Sequence, residues 1–272
     1  MPDTAHREVR DATDADADGI VAVARAHGFD GSDTAVDPDY RAFIANHGRF
    51  VVSDVGGRIV GFGGAIDVTR ARLVTDLFLL DSHQGRGLGG SMLSTLLDGF
   101  PNRMTFSSGH ERALPSYVRH GMHPAWTLEY WCGRRPGSVT TDSDPAVVEV
   151  PSDRWRGDRP DLAEHWARAG GRLLHLGEPE AAQGWAIVVP PGSRTRPWEI
   201  TRIVSTSPVA ATRAALSTVP AGADVLVCAR EGSGAATVLA QLGFEVTDRD
   251  VFCASDGVTI DANVAALHPG LG

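Results

Sequence analysis

The sequence predicts an α/β protein in which two tandem copies of one domain each place helices against a mixed β-sheet. Short strands rich in β-branched and aromatic residues alternate with amphipathic helices along the 272 residues. A polar segment near the middle of the chain separates two stretches in which the elements follow the same order. These observations predict two domains, at residues 1–135 and 146–272.

The composition is that of an ordinary globular protein. Hydrophobic residues make up 42% and charged residues 22% of the chain, which excludes an intrinsically disordered or collagen-like protein. No window approaches twenty uninterrupted apolar residues, and the charged N-terminus is not followed by the apolar segment of a signal peptide. We therefore expect a cytoplasmic protein without a membrane partner.

Charge and cysteine spacing exclude two further classes. The chain contains no lysine, so all 25 basic residues are arginine, and the formal net charge is −9. Such a surface repels nucleic acid, and no arginine run carries interleaved aromatic residues. Cys132, Cys228 and Cys253 lack the paired spacing of a zinc site or a disulfide framework. We expect neither a nucleic-acid partner nor a bound metal.

The elements of the first domain follow from local signals. Thr13 is a good helix N-cap, Pro38 suits the first turn of a helix, and the glycines at 56 and 57 favour a hairpin turn. In order, we predict a strand at 7–10, helices at 13–26 and 38–48, strands at 49–53, 58–68 and 72–80, a helix at 88–97, a strand at 104–107, a helix at 113–119 and a strand at 127–131.

The second domain begins after a predicted linker at 133–145, which is rich in glycine, proline and polar residues. In order, we predict a strand at 147–150, a helix at 162–168, strands at 173–176, 185–189 and 198–204, a helix at 209–219, a strand at 224–229, a helix at 235–242 and a strand at 246–252. One shared spacing supports the duplication, since the steps of four from Ala113 to Tyr117 and Gly121 recur from Ala235 to Leu239 and Gly243.

A glycine-rich segment between a strand and a helix indicates a phosphate site. There, backbone N–H groups converge at the positive end of the helix dipole. A P-loop is excluded because it requires lysine. A dinucleotide motif matches Gly85, Gly87 and Gly90, but four polar residues separate it from the preceding strand, whereas that motif normally follows its strand directly. The third interpretation is Gln-x-x-Gly-x-Gly, met by Gln84, Gly87 and Gly89.

With this loop and the Ala113-x-x-x-Tyr117-x-x-x-Gly121-Met122 segment about thirty residues later, the first half resembles the GCN5-related N-acetyltransferase (GNAT) superfamily. The second half resembles the degenerate C-terminal domain of tandem members of that superfamily. The shift that aligns Gly121 with Gly243 brings the glycine loop onto residues 206–211, which contain no glycine, and Tyr117 onto Leu239. We expect this second copy to be structural or to bind the acceptor.

The resemblance implies that the loop binds the pyrophosphate of acetyl-CoA. It also implies that a backbone N–H of the strand before the motif, here that of Leu79, binds the oxyanion. His110 stands where the family often has an asparagine near the pantetheine arm. The residues expected to bind the coenzyme are Leu79, Leu80, Gln84, Gly85, Arg86, Gly87, Leu88, Gly89, Gly90 and His110.

The implied reaction is direct transfer of an acetyl group to a small amine. Tyr117 occupies the family's position for the acid that protonates the departing thiolate, and Asp76 and Glu129 are our candidates for the base. The acidic segment 30–39 favours a cationic acceptor, although it is equally explained as a solvated loop. Two alternatives stay open: an acyl-CoA-binding or sensing protein without turnover, and an enzyme of this fold that uses another acyl group.

Overall fold

The computed structural model describes residues 7–29, 34–110, 112–177, 183–192 and 196–272. The chain divides into two compact units. The first comprises residues 1–125, 252–258 and 272, and the second comprises residues 126–251 and 259–271. Within the described ranges, no helix has the length and apolarity needed to cross a membrane.

The first unit contains all but the last of the elements that the sequence predicts for the first domain, in the predicted order, and the last strand, predicted at 127–131, lies in the second unit. The elements of the first unit are β1 (Arg7–Asp11), α1 (Ala17–Ala26), α2 (Pro38–His47), β2 (Gly48–Val55), β3 (Arg58–Val68), β4 (Ala71–Leu79), α3 (Leu88–Leu96), β5 (Arg103–Ser107) and α4 (Ala113–Arg119).

The strands of the first unit are ordered β1-β2-β3-β4-β5. The first four pair antiparallel, and β4 pairs parallel with β5. Gly57 permits the tight turn between β2 and β3 because its φ is 83°. Helix α2 begins where the Asp37 carboxylate accepts a hydrogen bond from the Asp39 N–H at 2.7 Å, with Pro38 in the first turn. Its buried side chains include Tyr40, Phe43 and Ile44.

After one leading strand, the second unit repeats this order with a single helix where the first unit has α1 and α2. Its elements are β6 (His123–Arg134), β7 (Val147–Val150), α5 (Pro160–Arg168), β8 (Arg172–Leu176), β9 (Gly184–Val189), β10 (Trp198–Ser205), α6 (Pro208–Ser217), β11 (Asp224–Arg230), α7 (Gly234–Gln241), β12 (Glu245–Ala254) and β13 (Val264–Leu267). The first three residues of β6 and the last three of β12 belong to the first unit.

In the second unit, β7, β8, β9 and β10 pair antiparallel in succession, β10 pairs parallel with β11, and β11 pairs antiparallel with β6. Strand β13 lies off this path and pairs with β10. The core side chains between this sheet and helices α6 and α7 include Val188, Ile203, Val227 and Leu239.

The structure corrects two sequence-based predictions. The predicted linker at 133–145 began too early, because Gly133 and Arg134 extend β6 by pairing with Val225 and Asp224 of β11. We did not predict β13, whose short run of small and apolar residues becomes a strand only through its partner β10.

Candidate active site

The sheet of the first unit opens where β4 and β5 stop pairing. Their parallel ladder runs from Arg72 opposite Arg103 to Val74 opposite Thr105. Beyond Val74, β4 continues to Leu79 along β3. One edge of its last residues therefore faces an opening in the sheet.

The backbone of β4 directs two N–H groups into this opening. The Leu80 N–H donates to the Val60 carbonyl at 2.9 Å, which fixes the side of β4 that faces β3. Because N–H directions alternate along a strand, the N–H groups of Leu77 and Leu79 point away from β3 and into the opening. The role of Leu79 as an oxyanion donor stays a prediction, and the structure gives its N–H the direction that this role requires.

The glycine loop lies between the end of β4 and the N-terminus of α3. Gly85 and Gly87 have φ angles of 73° and 85°, a left-handed conformation that favours glycine. Gly87 is the N-cap of α3, so the first N–H groups of this helix have no partner within the helix. A Cβ atom added at Gly85, Gly87, Gly89 or Gly90 would meet no atom within 4 Å, so the space above the loop is open.

Gln84 ties this loop to the end of β4. Its Nε2 group donates to the Leu79 carbonyl at 3.1 Å and to the Asp81 carboxylate at 2.9 Å. Its Oε1 atom accepts a hydrogen bond from Arg112 at 3.3 Å. The His27 ring nitrogen Nε2 also donates to the Leu79 carbonyl, at 3.2 Å. The motif glutamine thus positions the loop, and Arg112 stands beside it.

Three arginines lie near His83, just before the loop, although the chain as a whole is acidic. Burial lowers the pKa of His83, and the positive charges of Arg86, Arg58 and Arg7 lower it further. These arginines therefore lie close enough to His83 to disfavour its protonation. An anion at the loop would meet the N-terminus of α3, and Arg86 belongs to the loop itself.

Asp76 is a buried carboxylate, with 8% of its surface exposed. Its Oδ2 atom accepts hydrogen bonds from the Tyr40 hydroxyl at 2.9 Å and from the Thr75 hydroxyl at 2.8 Å. Burial raises the pKa of Asp76 to about 6, although both hydrogen bonds act to lower it. A carboxylate with this pKa is ionised at neutral pH and accepts a proton more readily than an ordinary aspartate.

The structure places the other two predicted catalytic residues in different units. Tyr117 lies on α4, and only 7% of it is exposed. Glu129 lies on β6 in the second unit, where its buried carboxylate is 3.4 Å from the Arg249 guanidinium. The Glu129 carboxylate therefore has a cationic partner, whereas Asp76 has two hydroxyl donors.

Of the remaining predicted coenzyme contacts, Arg86 and His110 are exposed, and Leu80 and Leu88 flank the loop. The His110 Nδ1 atom accepts a hydrogen bond from the Arg112 N–H at 3.2 Å. In the acidic segment, residues 30–33 lie outside the described part of the chain.

Sequence reasoning missed three side chains of this site. Tyr40 and Thr75 hold Asp76, and Arg112 holds Gln84. Tyr40 lies 36 residues before Asp76, so no local pattern could have paired them. Arg112 lies next to the tyrosine motif, and its charge near a predicted phosphate loop was the one available signal.

Comparison with known proteins identifies the first unit. Residues 18–122 match the acetyltransferase (GNAT) family, whereas no curated protein matches the chain. The first half of the chain is therefore a GNAT-family domain, as its motifs predicted. The expected class of enzyme, a transferase of acyl groups, is confirmed at the level of this family.

Solved structures with the same fold span nearly the whole chain. A candidate acetyltransferase from Pyrococcus horikoshii superposes with a TM-score of 0.73 at 17% identity, over 96% of this chain and 94% of that protein. A tandem GNAT protein from the clavulanic acid biosynthesis pathway gives 0.64 at 16% identity, over 94% of this chain and 100% of that one. A GCN5-related N-acetyltransferase from Anabaena variabilis superposes with a TM-score of 0.62 at 11% identity, over 92% of this chain and 72% of that protein. These matches show the fold and confirm the predicted tandem GNAT architecture.

Proposed function

We propose that this chain, whose first unit is a GNAT-family domain, transfers an acetyl group from acetyl-CoA to a small amine. The observation that supports the proposal best is the opening between β4 and β5 beside the glycine loop. Acetyl-CoA combines a pyrophosphate with an extended arm that contains amide groups. An anion-binding loop suits the first part, and a free strand edge suits the second.

Asp76 has the properties required of the base. An amine with a pKa near 10 is only about 0.1% unprotonated at pH 7, a deficit of roughly 4 kcal/mol. We assign removal of this proton to Asp76, through an ordered water because the carboxylate is almost fully buried. Both hydroxyl donors bind Oδ2, which leaves Oδ1 to receive the proton.

We assign the remaining steps to the Leu79 N–H, which faces the opening, and to Tyr117 on α4. The amine nitrogen forms a bond to the thioester carbonyl carbon, and the resulting oxyanion accepts a hydrogen bond from the Leu79 N–H. The C–S bond then breaks, and the Tyr117 hydroxyl gives its proton to the departing thiolate. Tyr117 is reprotonated as the new amide nitrogen loses its extra proton, so each turnover of a protonated amine releases one proton to solvent.

The proposed acceptor is a small cationic amine. The chain has a net charge of −9, which favours the approach of a cation. On β4 the Phe78 ring shares a strand face with Asp76 and packs against Phe29 with ring centroids 4.8 Å apart. An acceptor that reaches Asp76 along this face would place an apolar part beside these rings.

The test is release of coenzyme thiol from acetyl-CoA in the presence of a panel of primary amines. We expect thiol release to depend on the amine and to be matched by equal formation of the amide. Tyr117→Phe provides the control, since it keeps the ring but removes the proposed acid. If acetyl-CoA binds but no amine is acylated, the sensing alternative replaces this proposal, and propionyl- and malonyl-CoA test the alternative acyl groups.

A further inference from the structure

The second unit repeats the geometry that opens the sheet in the first. Strands β10 and β11 pair parallel only from Trp198 opposite Val225 to Ile200 opposite Val227. Beyond Ile200, β10 continues to Ser205 and β11 continues to Arg230. The β4 and β5 ladder of the first unit ends after the same number of residue pairs. The second unit therefore has the framework of a second coenzyme opening.

In the second unit, however, a segment of the chain itself pairs with the edge of β10 at this opening. Residues 263–267, which we call the strap, contain β13 and run antiparallel along the edge of β10 that β11 has left. Arg202 lies opposite Leu267, and Ile203 lies opposite Ala266. The Ser205 N–H donates to the Asn263 carbonyl at 2.8 Å. The backbone edge that faces the opening in β4 is therefore paired in β10.

The strap is part of the core of the second unit. Ala265, Ala266 and Leu267 are buried, and both alanines belong to the apolar cluster that α6 and α7 cover. Strand β13 also contacts β11, so it lies between the two strands that border the opening. Its small side chains let the strand fit between two diverging strands.

The loop before α6 also differs from the glycine loop before α3. Pro208 is the first residue of this helix and has no N–H to donate. The preceding Ser207 has a φ of −123°, whereas Gly87 before α3 has a φ of 85°. Two independent features thus distinguish this opening from that of the first unit.

We propose that the strap takes the place of the coenzyme arm in the second unit, so that each chain binds a single acyl-CoA, in the first unit. The inference rests on the proposed function for the location of that one site. The strap adds a strand to the open edge of β10. An extended peptide or a pantetheine arm would pair with such an edge in the same way. The second unit therefore keeps the fold without a coenzyme site.

Titration calorimetry of the full chain with acetyl-CoA tests the stoichiometry. Two matched variants show which unit binds, because Gly89 and Val209 are each the second residue of their helices, α3 and α6. Val209 is 39% exposed, and a Cβ atom at Gly89 meets no atom within 4 Å, so glutamate fits at both positions. An acid in the first turn also suits a helix.

We expect one site per chain, a loss of affinity of about a hundredfold or more in Gly89→Glu, and no change in Val209→Glu, because only the first loop receives a pyrophosphate. A stoichiometry of two, or weaker binding in Val209→Glu, overturns the inference and leaves the proposed function intact. Absence of all binding in the wild type overturns the proposed function instead.

A second measurement examines the strap without coenzyme. In amide hydrogen exchange, the N–H groups of Ser205 and of the strap should be protected as strongly as those of the core strands. Acetyl-CoA should leave their exchange unchanged. Rapid exchange at these positions, or loss of protection when acetyl-CoA is added, overturns the inference whatever happens in the first unit.

Discussion

The two units differ in what meets the strand edge at the end of the shared parallel ladder. In the first unit the edge of β4 beyond Val74 faces an opening next to glycines in the left-handed conformation. In the second unit the matching edge of β10 beyond Ile200 is paired with β13, next to a loop that leads into Pro208. The same fold thus leaves this strand edge open in one copy and pairs it with a segment of its own chain in the other.

The chemical groups diverge in the same way. Aligning the last ladder pair of each unit places Arg202 of β10 where β4 has Asp76. Arg202 is buried and forms an ion pair with Asp158, whereas Asp76 is held by two hydroxyl groups. Leu239 likewise stands in place of Tyr117. The proposed base, the proposed acid and the glycine loop therefore belong to only one of the two described units.

The largest expected effect is that of Asp76→Asn. The amide keeps the shape of the carboxylate but cannot accept the amine proton, so we expect kcat to fall by about 10²–10⁴-fold. Acetyl-CoA affinity, measured by calorimetry, should stay at the wild-type value. If Asp76→Asn retains full kcat, another group acts as the base. The replacement of Asp76 by Arg202 at the matching position of β10 would then not explain a difference in catalysis between the units.

Tyr117→Phe should lower kcat by about a hundredfold, because the thiolate must then leave without a proton from the protein. Leu239→Met at the corresponding position of the second unit is the matched control and should leave kcat unchanged. Steady-state rates of thiol release measure both. Equal effects of the two substitutions would show that Tyr117 acts through packing and not as an acid.

The pH profile sharpens the assignment of the base. Because burial raises the pKa of Asp76 to about 6, kcat/KM should fall about tenfold per pH unit as the pH drops below that value. The Tyr40 hydrogen bond lowers this pKa, so Tyr40→Phe should move the acidic limb to higher pH. The rate at alkaline pH should be retained. If the acidic limb of the kcat/KM profile stays at the same pH in Tyr40→Phe, the group that titrates there is not Asp76.

The smallest expected effect concerns the stability of the loop. Gly87→Ala forces a left-handed conformation on an L-residue and should destabilise the fold by about 1–2 kcal/mol. Gly90→Ala, within helix α3 at an ordinary φ, should stabilise it by up to about 1 kcal/mol. Urea unfolding of the coenzyme-free protein measures both. Equal midpoints for the two variants would show that the conformation of Gly87 is not a constraint.

Local signals were sufficient to predict most of the fold and the position of the loop. The α4 helix occupies residues 113–119 as predicted, since the steps of four from Ala113 to Tyr117 and Gly121 suit a helix that ends at a glycine. The glycine loop was recognisable because left-handed conformations and close anion approach both favour glycine. These features depend on residues that are neighbours in the chain.

The features that the sequence did not predict depend on distant partners. Strand β13 follows Asp261 and Asn263 and contains two alanines, a composition typical of a loop. It forms a strand because the edge of β10 is available to it. The burial of Asp76 and its bond to Tyr40 join residues of two separate elements, so only the folded chain shows the raised pKa.

Amide hydrogen exchange with and without acetyl-CoA tests the difference between the two openings most directly. We expect slower exchange on coenzyme binding at Leu77, Leu79 and residues 85–91 of the first unit. We expect no change at residues 202–212 or in the strap of the second unit. Protection that appears in the second unit, or that is absent from the glycine loop, would contradict this expectation.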